Sequence, residues 1–179
     1  MSYEVIEHIE VGSGGQASIE FVSVGDIPSD YTDLLILVSA RSTRSGQYSD
    51  GLKIVFNSDG TNSSSRYLLG YNNSVSSGTR TILSGGSITA ALATSSTFSS
   101  NSIYIPNYRS SVAKSISTDG VAETNGTQGA QIIEAGLWNN TSPITSIVLS
   151  SETGNNFVQY SSATLYGVTA GSDGTTTVS

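Results

Sequence analysis

The chain contains no cysteine, one histidine, one methionine, one tryptophan and three prolines in 179 residues. Without cysteine there is no disulfide framework and no thiolate to act as nucleophile or metal ligand. His8 is the only imidazole, so a zinc site of ordinary composition is excluded, and a serine-histidine-acid triad has to use that one residue. His8 lies among Glu7 and Glu10 and is expected to face solvent. Charged residues are scarce, at 12%, about half the usual share. That argues against a helical bundle and against charge-rich disorder. Glycine lacks the strict period of collagen.

Long apolar runs are missing too. The longest uninterrupted one is Leu34–Val38, far short of the roughly 20 residues of a membrane-spanning helix, so no membrane insertion is expected. The N-terminal MSYEVIEHIEV carries acids where a secretory signal has a basic start and an apolar core, so synthesis in a cytoplasm is expected. Asn-X-Ser/Thr triplets at Asn62, Asn72, Asn125, Asn139 and Asn140 are then products of composition. Seven basic residues stand against fourteen acids, giving a net charge of −7. The basic ones are scattered apart from Arg41 and Arg44. Nucleic acid is therefore not an expected partner, and a partner with a basic surface suits the chain better.

What is abundant is small and polar. Ser, Thr, Gly and Asn supply 84 of the 179 residues. Between them, apolar residues recur with a period of two in short runs, which predicts ten to twelve strands. Tyr3–Val11, Gln16–Val24, Tyr31–Ala40, Gly51–Asn57, Arg66–Tyr71, Ser102–Ile105, Val112–Ser117, Ala130–Trp138, Ile144–Leu149 and Ser162–Val168 carry the pattern. Thr79–Leu83 and Ser87–Leu92 read as short strands around Gly85-Gly86. Gly12–Gly15 reads as a hairpin turn, and Asp50-Gly51 and Asp59-Gly60 as turns bracketing a strand. Leu34–Val38 is apolar on both faces and predicts a central strand covered on both sides. The fold class expected is all-β, an antiparallel β-sandwich of jelly-roll-like type. Residues 1–169 form one domain, and 170–179 form a flexible or partner-docked C-terminal arm.

Few residues invite chemistry. No Gly-X-Ser-X-Gly elbow occurs, and Gly12–Gly15 lacks the Gly-Lys-Ser/Thr of a phosphate loop. Paired carboxylates for glycoside hydrolysis would come from Asp26, Asp30, Asp33, Glu123, Glu134 and Glu152. The three aspartates surround Pro28 and read as caps of backbone donors. Glu134 alternates with apolar neighbours and reads as outward and solvated. Asp59-Gly60-Thr61-Asn62 and Asp119-Gly120 loosely resemble calcium ligands, but neither has the spaced acids and closing Glu of an EF-hand, and both read as turns. In Ala130–Trp138, Ile133, Ala135 and Leu137 share one face, while Glu134, Gly136 and Trp138 share the other. Trp138 is either core or subunit interface, or a platform on which a sugar ring stacks. Tyr104 and Tyr108 flank Ile105-Pro106-Asn107 and present the same alternatives. Tyr104, Tyr108 and Trp138 are the candidate ligand-binding residues. No catalytic residue, metal ligand or cofactor is expected.

The chain resembles small virion proteins of tailed bacteriophages, particularly marine ones. The resemblance rests on Ala17-Ser18-Ile19-Glu20-Phe21, Tyr31-Thr32-Asp33-Leu34-Leu35, Ser39-Ala40-Arg41-Ser42 and Ile54-Val55-Phe56-Asn57. It continues through Tyr104-Ile105-Pro106-Asn107-Tyr108, Ala135-Gly136-Leu137-Trp138 and Ala163-Thr164-Leu165-Tyr166-Gly167, spanning nearly the whole length. It implies a β-sandwich on the particle exterior, on the capsid or on a tail fibre. The function expected is a non-enzymatic capsid decoration (cement) protein. It would bind the major capsid protein or other virion proteins through a sheet edge, or through the arms Met1–Val11 and Ala170–Ser179. Symmetry favours a homo-oligomer, with a trimer attractive. The alternative is a tail-fibre or host-adhesion module that binds a host surface glycan.

Overall fold

A computed structural model describes residues 2–21, 27–126 and 128–169. The proposed arm Ala170–Ser179, Met1 and Asp26 lie outside the described residues. Twelve strands follow one another: β1 (Ser2–Glu10), β2 (Ser18–Phe21), β3 (Asp33–Ser39), β4 (Ser49–Phe56), β5 (Ser63–Tyr71), β6 (Ser74–Arg80), β7 (Leu83–Thr89), β8 (Ser100–Ile105), β9 (Lys114–Glu123), β10 (Gly129–Trp138), β11 (Ile147–Ser151) and β12 (Ser162–Thr169). They form an eight-stranded sheet, β1-β12-β3-β8-β9-β10-β5-β6, and a four-stranded sheet, β2-β11-β4-β7. The ladders are antiparallel throughout.

This is a β-sandwich with the strand order of a jelly roll. β1-β12-β3-β8 and β2-β11-β4-β7 are the two four-stranded sheets of that fold. Two hairpins are added. β5–β6 follows β4, β9–β10 follows β8, and together they widen the first sheet from four strands to eight.

The core lies between the sheets. Ile19, Phe21, Leu52, Ile54, Phe56 and Leu149 from the small sheet meet Leu34, Ile36, Ile103 and Leu165 from the large one. Strict alternation puts these residues there. β4 buries Asp50, Leu52, Ile54 and Phe56 and turns Lys53 and Val55 away. Each fully buried aliphatic or aromatic side chain contributes about 1.5–3 kcal/mol of transfer free energy.

Several local expectations are overturned. Leu34–Val38 is central but covered on one side only. Leu34, Ile36 and Val38 are buried, whereas Leu37 is exposed and Leu35 half-buried, because none of the described residues packs over Leu37 on the outer face of the large sheet. In β10 the inward face is the one carrying Ile132, Glu134, Gly136 and Trp138, while Ile133 and Leu137 point outward. Asp50-Gly51 lies within β4, and Asp119-Gly120 within β9, so neither is a turn. Gly12–Gly15 does turn, with Gly15 N donating to Gly12 O at 3.0 Å, but it leads from one sheet to the other rather than closing a hairpin. The N-terminal segment is a strand, as its alternation predicts, and β1 forms an edge of the large sheet.

Gly85-Gly86 sits inside β7 at a bulge. Gly51 pairs with Ser87 and Lys53 with Ser84, so Leu52 faces two residues instead of one. Gly86 has a φ of 91°, and a Cβ there would come 2.7 Å from Asn101 Nδ2. That amide donates to Gly85 O at 2.9 Å and Ser87 O at 3.0 Å, supplying the partners that the bulge removes from the ladder.

Candidate functional site

Trp138 ends β10 inside the sandwich with no exposed surface. Phe56 meets its ring edge-on at 5.6 Å. The Lys114 ammonium lies 5.5 Å from its centroid and donates to Ser142 O at 2.5 Å. Burial lowers the Lys114 pKa. The indole Nε1 donates to Asp59 Oδ2 at 3.1 Å, the same oxygen that accepts from Asn140 and Asn62. Asp59 Oδ1 accepts from Thr61 N and Thr61 Oγ1. These donors hold the Asp59 carboxyl well below the usual carboxylate range, with the Thr61 hydroxyl the largest cause. Its oxygens accept from Thr61 and Asn62 within the turn and from Trp138 and Asn140 beside it, in keeping with the reading of Asp59–Asn62 as a turn. Trp138 is a core residue and offers no face to a sugar.

Tyr108 is buried as well, and its hydroxyl donates to Pro28 O. It packs the corner after β8 and cannot serve as a stacking platform. Tyr104 stands on the outer face of the large sheet, half-buried. Its hydroxyl donates to Asp33 Oδ2 at 2.6 Å, which pushes its pKa up to about 12. Asp33 Oδ1 accepts from Asn107 N at 2.8 Å, so Asp33 does cap a backbone donor, though across the sheet rather than beside Pro28. Tyr104, Tyr108 and Trp138 therefore do not converge on one site. His8 is exposed, and its Nδ1 lies 2.8 Å from Thr164 Oγ1.

Two of the candidate carboxylates do come together. Glu134 is buried, not solvated as its alternation predicts. Arg80 Nε lies 3.6 Å from Glu134 Oε1, and Arg80 Nη1 lies 2.5 Å from Glu152 Oε2. Neither Glu134 oxygen has a hydrogen-bond partner. Burial raises the Glu134 pKa, and Arg80 and Ser84 only partly oppose this. An arginine between the acids and a side chain 1% exposed leave no path for a glycosidic bond to reach Glu134. The cluster ties β6 and β10 to the turn after β11.

Two surfaces remain that sequence reasoning missed. The first is the outer face of the large sheet. Tyr3, Val5, Leu37, Val121, Ile133, Leu137, Leu68 and Val75 are all exposed there. Register aligns them in rows across the sheet. One row runs Val5, Tyr166, Leu35, Tyr104, Ser117, Ala135, Arg66, Thr79, and the next runs His8, Thr164, Leu37, Ser102, Asp119, Ile133, Leu68, Ser77. Tyr3, Leu35, Leu37 and Tyr166 enclose a hollow of about 210 Å³. A run of apolar residues at the outward parity of β3 and β10 is the signal that could have revealed this face.

The second surface is a cleft of about 640 Å³ at the far end of β10 from Trp138. Amides line it: Asn72, Asn73, Gln128 and Gln131, beside Glu123 and Val121. Asn72 Nδ2 donates to Gln128 Oε1 at 2.5 Å, and Gly129 N donates to Asn72 Oδ1 at 3.0 Å, so the two turns that form the rim are locked together. Comparison with protein-family models, with curated proteins and with solved structures finds no match to this chain.

Proposed function

We propose that the protein is a non-enzymatic structural component of a bacteriophage virion, a decoration protein that lies on the capsid exterior against the major capsid protein. The observation that carries this reading is the outer face of the eight-stranded sheet. It is broad and regular and carries eight large exposed apolar side chains, and exposed apolar surface of that kind marks contact surfaces. The jelly-roll order is one that capsid proteins use, though the fold alone does not assign a role. Electrostatics also fit. Arg41 is spent on the carbonyls of Ala91, Ala93, Thr94 and Thr97, Lys114 on those of Asn140 and Ser142, and Arg80 on Glu134 and Glu152. The net charge of −7 leaves the exterior acidic, which suits a basic partner surface and disfavours nucleic acid.

The test is co-sedimentation with capsids assembled without this protein. Leu68→Lys combined with Ile133→Thr should weaken capsid binding at least tenfold while leaving the melting temperature nearly unchanged, because both side chains are about half exposed and no like charges are set opposite each other. Unchanged binding would reject this face. Electron microscopy of purified particles with no density for the chain on the shell would reject the role.

The amide-lined cleft supports the second reading, a host-adhesion module. Convergent amides and a carboxylate suit the hydroxyls of a glycan. A glycan array should then show binding that Gln131→Ala reduces several-fold. Absence of binding at every density would discard this alternative.

A further inference from the structure

The two edges of the large sheet are built differently. β1 is guarded: its register slips between Val5 and Glu7, and it carries Glu4, Glu7, His8 and Glu10. Bulges and charges are the usual devices that stop an edge strand from pairing with another chain. β6 has neither. Its seven residues, Ser-Val-Ser-Ser-Gly-Thr-Arg, pair with β5 in unbroken register from Ser65–Arg80 to Tyr71–Ser74. It contains no acid, lysine or proline, and Ser74–Ser77 and Thr79 are exposed. Its one charge, Arg80, turns inward to Glu134 and Glu152. In the small sheet, β2 is only four residues long, and β7 is almost wholly buried. Among the described residues, β6 is the one long, regular, unguarded edge.

From this contrast we infer that β6 pairs antiparallel with β6 of a second copy across a two-fold axis at Ser77, joining two eight-stranded sheets into one. The strand is self-complementary in that register. Ser77 meets its own symmetry mate, Val75 faces Thr79, Ser76 faces Gly78 and Ser74 faces Arg80. β-branched Val75 and Thr79 lie opposite each other on the outer face, a favourable cross-strand pair. No like charges oppose, which matters for a chain with a net charge of −7. Pairing through β1 meets its bulge and brings its glutamates to the partner strand, while β2 is short and β7 is almost wholly buried. The association therefore closes at two. The interface is narrow, so the dimer is weak and depends on concentration. The inference stands independently of the virion role.

The test uses the absence of native cysteine. Sedimentation velocity over micromolar to millimolar concentrations should show a monomer–dimer equilibrium. Ser77→Lys should shift the midpoint at least tenfold toward monomer, with circular dichroism unchanged. Ser77→Cys should form a covalent dimer under mild oxidation, whereas Val5→Cys on β1 should not. If Ser77→Lys fails to fold, the cross-linking pair still decides. A monomer at every concentration, a dimer indifferent to Ser77→Lys, or cross-linking through position 5 and not position 77 would overturn the inference.

Discussion

Replacing Trp138 with alanine should lower the melting temperature by about 6–20 °C. The figure follows from about 3–5 kcal/mol for truncating a buried aromatic, with each kcal/mol worth about 2–4 °C in a chain of this size. Trp138 has no exposed surface, and its ring holds Phe56 edge-on and Lys114 on its face. Its removal opens a cavity between the sheets. It also leaves the Lys114 ammonium with carbonyls alone for partners and takes one donor from Asp59. Trp138→Phe separates these effects. It keeps most of the packing and loses the indole donor, so its loss should be less than half as large. Differential scanning calorimetry is the suitable readout, because the only tryptophan is the residue changed. A drop under about 2 °C for Trp138→Ala would mean that the indole is not part of the packed core.

The same residue shows how far the sequence could be read. Period-two alternation located most of the strands because it reports a pleated backbone with two unlike faces, but Thr79–Leu83 straddles the break between β6 and β7 and Ser74–Ser77 carried no such signal. It also placed Trp138 correctly on the same face as Glu134 and Gly136. It could not say which face was inside. On β10 the apolar-looking set, Ile133 and Leu137, faces out, and a face carrying a glutamate and a glycine faces in. The inversion has a distant cause: Arg80, on a strand some fifty residues earlier, reaches Glu134 within the sandwich. Leu34–Val38 misled for the opposite reason. A run apolar on both sides normally means cover on both sides, yet here the outer side is bare. Gly85-Gly86 signalled a break and proved to be a bulge, because Asn101 satisfies the carbonyls that a turn would otherwise have satisfied. Of the candidate site, the aromatic residues were legible but their burial was not. The cleft and the outer face depend on which strands become neighbours, and that order is set by contacts remote in sequence.

The Arg80–Glu134 contact yields the other large effect, one that depends on pH. Removing a single partner from a buried ion pair strands the other charge, and for a fully buried pair this costs about 3–5 kcal/mol. Arg80 keeps a side-chain exposure of 23%, so about 2–4 kcal/mol is the better expectation for Arg80→Gln at pH 8. Glu134→Gln should have the opposite sign. Its carboxylate has the 3.6 Å contact with Arg80 but no well-formed hydrogen bond, and removing that desolvated charge should gain about 1–3 kcal/mol. Arg80 retains Glu152 in that variant. Burial raises the pKa of Glu134 in the folded chain above its unfolded value. Between those two values the folded state binds the extra proton, so acid favours folding at this residue. The penalty is absent below the unfolded pKa, about 4.3, and complete once pH exceeds the folded value. Both variants should therefore differ from the parent most at pH 8. At pH 4 Glu134→Gln should match the parent, and the cost of Arg80→Gln should shrink. The double variant should recover much of what Arg80→Gln loses at pH 8, since the charge that Arg80 offsets is gone. Urea unfolding of the four proteins at both pH values measures each quantity. Equal stabilities of parent and Glu134→Gln at pH 8 would mean that water reaches the carboxylate and that the inner face of the added hairpins is open.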